Sequence, residues 1–180
     1  STLALLLCAY TLFDATQSAK WPGNAGIYLA ANWSSPFGIV MLVDQLSALL
    51  LLLSGLLSSA VLLFTWTRWS RIGVHFHSLF QFLLMGINGS FLTADLFNLF
   101  VFFEVMLAAS YGLVLHGYNV TRIRAGMQYI VVNLVASAFF LIGIALVYAA
   151  TGSLNMADIA AHIKGLDDTN RLLMHIATAM

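Results

Sequence analysis

The chain has 180 residues, of which 61% are hydrophobic and only 8% charged, with seven Lys and Arg balancing seven Asp and Glu. That is about a third of the charge of an ordinary soluble domain; it excludes a nucleic-acid binder, which needs a basic face, and a disordered or solvated tail, which cannot carry so much apolar surface. A single cysteine, Cys8, excludes an internal disulfide and a cysteine zinc site, leaving a polytopic membrane protein with lipid as its main solvent.

In chain order, Ser1 to Phe13 is apolar over too short a stretch to span, and it lacks the basic start and small-residue cleavage site of a signal peptide. It reads as span A without its beginning. Asp14 to Phe37 is a loop, with turns at Trp21-Pro22-Gly23-Asn24 and Ser34-Ser35-Pro36, and with Trp21, Tyr28 and Trp33 suited to a membrane interface. Gln45 to Thr67 carries no charge and lies in span B, expected at about 39–67, with Asp44 near its start as a cap and Gln45 and Ser47 as interhelical bonding groups. Ile72 to Ala94 is again uncharged apart from His75 and His77 and contains span C, 73–94. Span D, 96–117, follows a tight turn at Asp95, and span E covers 125–150. Each stretch supplies the roughly 20 residues that cross a hydrocarbon core of about 30 Å. Continuous apolar runs without period-two alternation favour helices over a closed barrel.

After span E, Gly152-Ser153 stops the helix. Leu154 to Leu166 places Ile159, Ile163 and Leu166 opposite Asp158 and His162, the pattern of a short amphipathic helix at the membrane surface over 154–166. Asn170 to Met180 reads as the opening turns of span F, so the expectation is one transmembrane region over 1–180, truncated at both ends, with four complete and two partial spans. Arg68 and Arg71 between B and C, and Arg122 and Arg124 between D and E, put those two loops on the cytoplasmic face. Asp14, Asp95, Asp158, Asp167 and Asp168 fall on the other.

Glu104 is the residue that stands apart. It lies nine positions after Asp95, roughly 13 Å along a helix, in the apolar run Phe100 to Leu107. An ionised carboxylate at mid-membrane costs at least ~2.5 kcal/mol, so it should face the bundle interior, find a partner, and load or release a proton as a neighbouring charge approaches or leaves. The plainer alternative is a protonated Glu making one interhelical hydrogen bond. Asp95 with Asn98 reads as a helix cap. His75 and His77, about 200° apart on a helix, cannot share one ligand or path, and either is a candidate relay group. His116, near the cytoplasmic end of span D, is a candidate relay exit, whereas His162 and His175 read as interfacial. Ser110, Gln128, Asn133 and Ser137 are polar groups inside spans that either bond across helices or line water. Gly86, Asn88, Gly89 and Ser90 form a small, polar patch suited to close packing or local unwinding. There is no Gly-rich phosphate loop, cysteine cluster or ligand-spaced histidine set, so neither a cofactor nor a metal site is expected.

The run from Leu79 to Val105, with Phe97-Asn98-Leu99-Phe100-Val101-Phe102-Phe103-Glu104 at its centre, resembles the D subunit of the multisubunit Mrp-type Na+/H+ antiporter. Pro36-Phe37-Gly38-Ile39, Val43-Asp44-Gln45-Leu46-Ser47-Ala48 and Thr151-Gly152-Ser153-Leu154-Asn155-Met156-Ala157-Asp158 resemble it too. The antiporter-like proton-pumping subunits of complex I (NADH:quinone oxidoreductase) and of membrane-bound hydrogenases share the fold and the buried Glu. The resemblance implies an all-α fold of about fourteen transmembrane helices built on two inverted five-helix repeats, of which this chain is a fragment. It implies that span D is the fifth helix and span F the seventh, and that Glu104 pairs with a lysine in the seventh. Lys20 and Lys164 both lie in outer loops, so that lysine is expected beyond Met180. The implied partners are other antiporter subunits, lipid, Na+ and H+, and the implied location is a prokaryotic inner (plasma) membrane. Three functions stand in competition: an antiporter subunit moving protons through a Glu104-centred path with His116, His75, Ser110 and Asn133 as path candidates, the equivalent non-redox subunit of a redox-driven pump, and a scaffold in which Glu104 only packs.

Overall fold

The computed structural model describes residues 2–18, 25–33, 38–68, 75–116 and 120–180, and only the backbone at residues 31, 66–68 and 120–121. Expectations that rest on Lys20, on the turns around Pro22 and Pro36, on Arg71 and on the side chain of Arg68 lie outside the described residues.

Among the described residues, seven α-helices follow in order: α1 (Thr2–Gln17), α2 (Gln45–Arg68), α3 (Phe76–Leu92), α4 (Leu96–Leu115), α5 (Val120–Thr151), α6 (Met156–His162) and α7 (Asp168–Ala179). Among the described residues, segments of α2 (Gln45–Thr65), α4 and α5 (Arg122–Thr151) are long and apolar enough to cross a membrane. At 17 residues, α3 is shorter than span C was expected to be; its rise of roughly 25 Å is at the lower limit for crossing. Much of the apolar surface faces outward, Leu63 and Val132 among it, as suits a chain whose solvent is hydrocarbon.

Two boundaries differ from expectation for identifiable reasons. Helix α2 begins at Gln45 and not near residue 39, because Val40–Val43 is a strand (β2) paired antiparallel with Gly26–Leu29 (β1) in the register Gly26↔Val43 to Leu29↔Val40. The β-branched Val40 and Val43 suit an extended backbone, and Asp44 then starts the helix: its Oδ1 accepts from the Ser47 backbone N–H at 2.7 Å. The described residues therefore carry a small two-stranded sheet in the connection between α1 and α2. Helix α5 starts earlier than expected, at Val120, which leaves a short connection from α4.

At the far end of α5, Gly152 adopts φ 72°, a conformation glycine reaches without penalty, and its N–H donates to the Tyr148 carbonyl, closing the helix. Asn155 caps α6 by accepting from the N–H groups of Ala157 and Asp158. Helix α7 then turns back along α5, with Gly143 against Ala177, and Val147, Ile159 and Ala177 form a small core where α5, α6 and α7 meet.

Helices α3 and α4 form the tightest pair, and the glycines explain why. A Cβ on Gly86 would stand 2.7 Å from the Met106 nitrogen and 2.8 Å from the Phe102 carbonyl oxygen. One on Gly89 would run into the Phe102 ring, and one on Gly112 would stand 2.7 Å from Leu79. The patch Gly86 to Ser90 thus serves close packing, and α3 stays helical through it.

Candidate functional site

The short link between α3 and α4 fixes the start of α4 firmly. Asp95, 8% exposed, accepts from the Asn98 N–H at 3.0 Å, and Asn98 Nδ2 donates to the Thr93 hydroxyl at 2.9 Å. Counting from this cap, Glu104 is held within α4, about 13 Å from the start of the helix.

Glu104 lies one turn from Phe100 and next to Phe103, and both rings meet Phe140 of α5 at 6.1 Å. Phe97 and Val101, one or two turns away on the adjoining face, stay substantially exposed. The neighbouring turns of α4 therefore pack aromatic rings against α5, while Phe97 and Val101 leave part of α4 uncovered among the described residues. The Oε1 of Glu104 is buried and has no hydrogen-bond partner among the described residues.

The other candidates divide into separate groups. Ser110 lies on the α4/α5 seam, where its Oγ is 3.2 Å from the Tyr129 Oη; the Tyr111 and Tyr129 rings meet edge to face at 5.6 Å. Asn133 joins this group only indirectly, its amide donating within α5 to the Tyr129 carbonyl at 2.9 Å. His116 caps the C-terminal end of α4 on the opposite side, facing α3, with its ring 6.3 Å from that of Phe76 and a buried Nε2 without a partner among the described residues. Arg122 donates to the His116 carbonyl at 2.7 Å, placing a cation at the negative end of the α4 dipole. His77 packs on Phe76, and His75 precedes α3 with an exposed ring. His162 bonds to the Asp158 carbonyl in an exposed position, and His175 is exposed on α7. Gln128 points outward from α5.

Tyr111 and Tyr129 were not singled out in the sequence. Tyr111 follows Glu104 by two helical turns, and Tyr129 precedes Asn133 by one; this spacing was the available signal, but without the seam it does not reveal that the two tyrosines meet.

A second cluster joins the segments that carried the resemblance. The Leu96 N–H donates to the Leu154 carbonyl and the Met156 N–H to the Ala94 carbonyl, both at 2.9 Å, so that Asp95 and Asn155 lie side by side. Ala94 also donates to the Val40 carbonyl, and Thr93 bridges Met41 of β2. Among the described residues no group of three or more His, Cys, Asp or Glu could hold a metal ion.

With this geometry in place, known proteins give a consistent comparison. Residues 93–180 match the family described as NADH:quinone oxidoreductase/Mrp antiporter, transmembrane. Along its whole length the chain is 50% identical to a Rhizobium meliloti protein named as the probable D subunit of a K+/H+ antiporter, covering 34% of it. It is 43% identical, over 93% of its length and 34% of the relative, to the D subunit of the Na+/H+ antiporter of Alkalihalophilus pseudofirmus. Among solved structures, a chain of the membrane-bound sulfane sulfur reductase, an archaeal respiratory membrane complex, is similar with a TM-score of 0.87 and 33% identity over 99% of this chain and 36% of that one. A chain of the Mrp complex from a Dietzia species is similar with a TM-score of 0.80 and 32% identity over 98% of this chain and 34% of that one. The chain spans about a third of the length of these relatives.

Proposed function

We propose that the chain, whose residues 93–180 match the transmembrane family described as NADH:quinone oxidoreductase/Mrp antiporter, is part of an antiporter's D-type subunit, which exchanges a monovalent cation for protons with Glu104 as its proton-carrying acid. The observation that carries this reading is the buried, unpartnered Oε1 of Glu104 within a membrane-spanning helix. A carboxyl group at that depth can exchange a proton as a neighbouring positive charge approaches or leaves, which couples cation movement to proton movement. The partner that the sequence resemblance implies for Glu104 is a lysine. Na+ is the cation the sequence resemblance implies; K+ is the one named for the 50% identical relative. The protein works in a prokaryotic inner membrane beside other antiporter subunits.

In inverted membrane vesicles containing the full-length subunit in its complex, Glu104→Gln should abolish cation-driven proton exchange while assembly persists. Retained exchange overturns the assignment. Running the assay with Na+ and with K+ identifies the cation. The similarity to a respiratory complex favours a second reading, a non-redox pumping subunit. In that case Glu104→Gln would uncouple proton pumping from electron transfer, and neither cation would drive exchange.

A further inference from the structure

The seam between α4 and α5 holds a group of hydroxyls in an otherwise apolar contact. Going from Glu104 toward the inner end of α4, Leu107 lies one turn below and Ser110 and Tyr111 about two turns below. Helical side chains lean back toward the N-terminus, so Tyr111, on nearly the same side as Glu104, leans toward it. Tyr129 rises from α5 to meet both: its ring stands edge to face on Tyr111, and its Oη lies 3.2 Å from the Ser110 Oγ. Ser110 itself donates to the Leu107 carbonyl at 2.7 Å. With the Ser110 proton engaged there, the Tyr129 hydroxyl is the donor of the pair. Both O–H bonds then point the same way, from the inner end of the seam toward Glu104. Arg122 and Arg124, in the first turn or so of α5, mark the end at which this line of hydroxyls begins.

We propose that Tyr129 and Ser110 form a proton relay that carries protons between the inner membrane face and Glu104, with the Tyr111 ring holding Tyr129 in place. The proposal rests on the reading of Glu104 as the proton-carrying acid. A proton arriving at the Tyr129 oxygen displaces that hydroxyl's own proton to the Ser110 oxygen. Ser110 swings from the Leu107 carbonyl and releases its proton to a water beside the Glu104 carboxylate, which becomes the neutral acid. Each hydroxyl ends neutral and one proton has moved; reverse rotation of the two hydroxyls resets the line. His116 is not on this route, since it faces α3 on the opposite side of α4.

The test uses the full-length subunit in its complex, in inverted vesicles, comparing Tyr129→Phe, Ser110→Ala, the double variant and Glu104→Gln. Tyr129→Phe keeps the ring contact with Tyr111 and removes only the hydroxyl. Each single variant should lower maximal proton flux roughly tenfold, with an unchanged half-saturating cation concentration and a larger solvent deuterium effect. The double variant should be no slower than the slower single, because both break one path. Wild-type flux in either single variant overturns the relay, and so does a slowed flux with an altered cation affinity and an unchanged deuterium effect. Should Tyr129→Phe fail to assemble, Ser110→Ala alone decides. An inactive Glu104→Gln beside unaffected single variants removes the relay and leaves the Glu104 reading standing; an active Glu104→Gln removes both.

Discussion

Carboxylates in this chain are handled in two contrasting ways. Asp44 and Asp95 sit at helix starts and accept backbone N–H groups, from Ser47 and Asn98 respectively. Glu104 lies in the middle of a helix, where the backbone N–H groups are already used, and its Oε1 has no such donor among the described residues. Asp44 shows the consequence for ionisation: the Ser47 backbone N–H, reinforced by the Ser47 hydroxyl, holds its carboxyl below the usual range. A carboxyl depressed in the folded state stabilises the fold at pH values above its unfolded value near ~3.9, and that contribution is lost as pH falls through the folded value. Asp44→Ala should therefore destabilise the subunit by about 1 kcal/mol at neutral pH, as for loss of a helix cap. In detergent, thermal unfolding of variant and wild type should converge as pH drops below about 4; a gap that stays constant would show that the charge of Asp44 is irrelevant to the cap.

At the level of elements, α3 and α4 approach closely because of three small residues. Gly86 faces main-chain atoms of Phe102 and Met106, so an added methyl can be accommodated only by moving the two helices apart. At Gly112 the obstacle is the end of the Leu79 side chain, which can rotate. Gly86→Ala should consequently cost about 1–3 kcal/mol, the range for overpacking a close contact, and Gly112→Ala clearly less. Unfolding of the purified subunit in detergent measures both; equal effects would refute the main-chain contact as the cause. Since Phe102 and Met106 bracket Glu104, separation at Gly86 also displaces the acid, so proton exchange should fall further in Gly86→Ala than in Gly112→Ala.

Across the whole molecule, two chain segments about sixty residues apart are joined where α4 and α6 begin. The Asp95 turn and the Asn155 cap exchange backbone hydrogen bonds, and β2 bonds to the same turn. The connection between α5 and α6 therefore sets the height and rotation at which α4 enters the membrane, and with them the position of Glu104. Asn155→Ala should raise amide hydrogen exchange at 153–158 and at 93–98 together. A rise confined to 153–158 would show that the two segments are not mechanically coupled.

The amino-acid sequence by itself determined the solvent of this protein, the approximate course of its spans, the caps at Asp44 and Asp95, the stop at Gly152 and the isolation of Glu104. These follow from local properties: charge avoids hydrocarbon, apolar runs need a minimum length, and particular side chains satisfy the free N–H groups of helix starts. Only the tertiary structure decided that residues 40–43 are a strand, because their hydrogen-bond partners lie in Gly26–Leu29 and at Ala94. It likewise decided that the Gly86 to Ser90 patch packs and does not unwind, that Ser110 meets Tyr129, and that His116 turns toward α3. Those outcomes depend on the rotation and depth at which helices meet, which glycine contacts and distant backbone hydrogen bonds set jointly and which no single segment encodes.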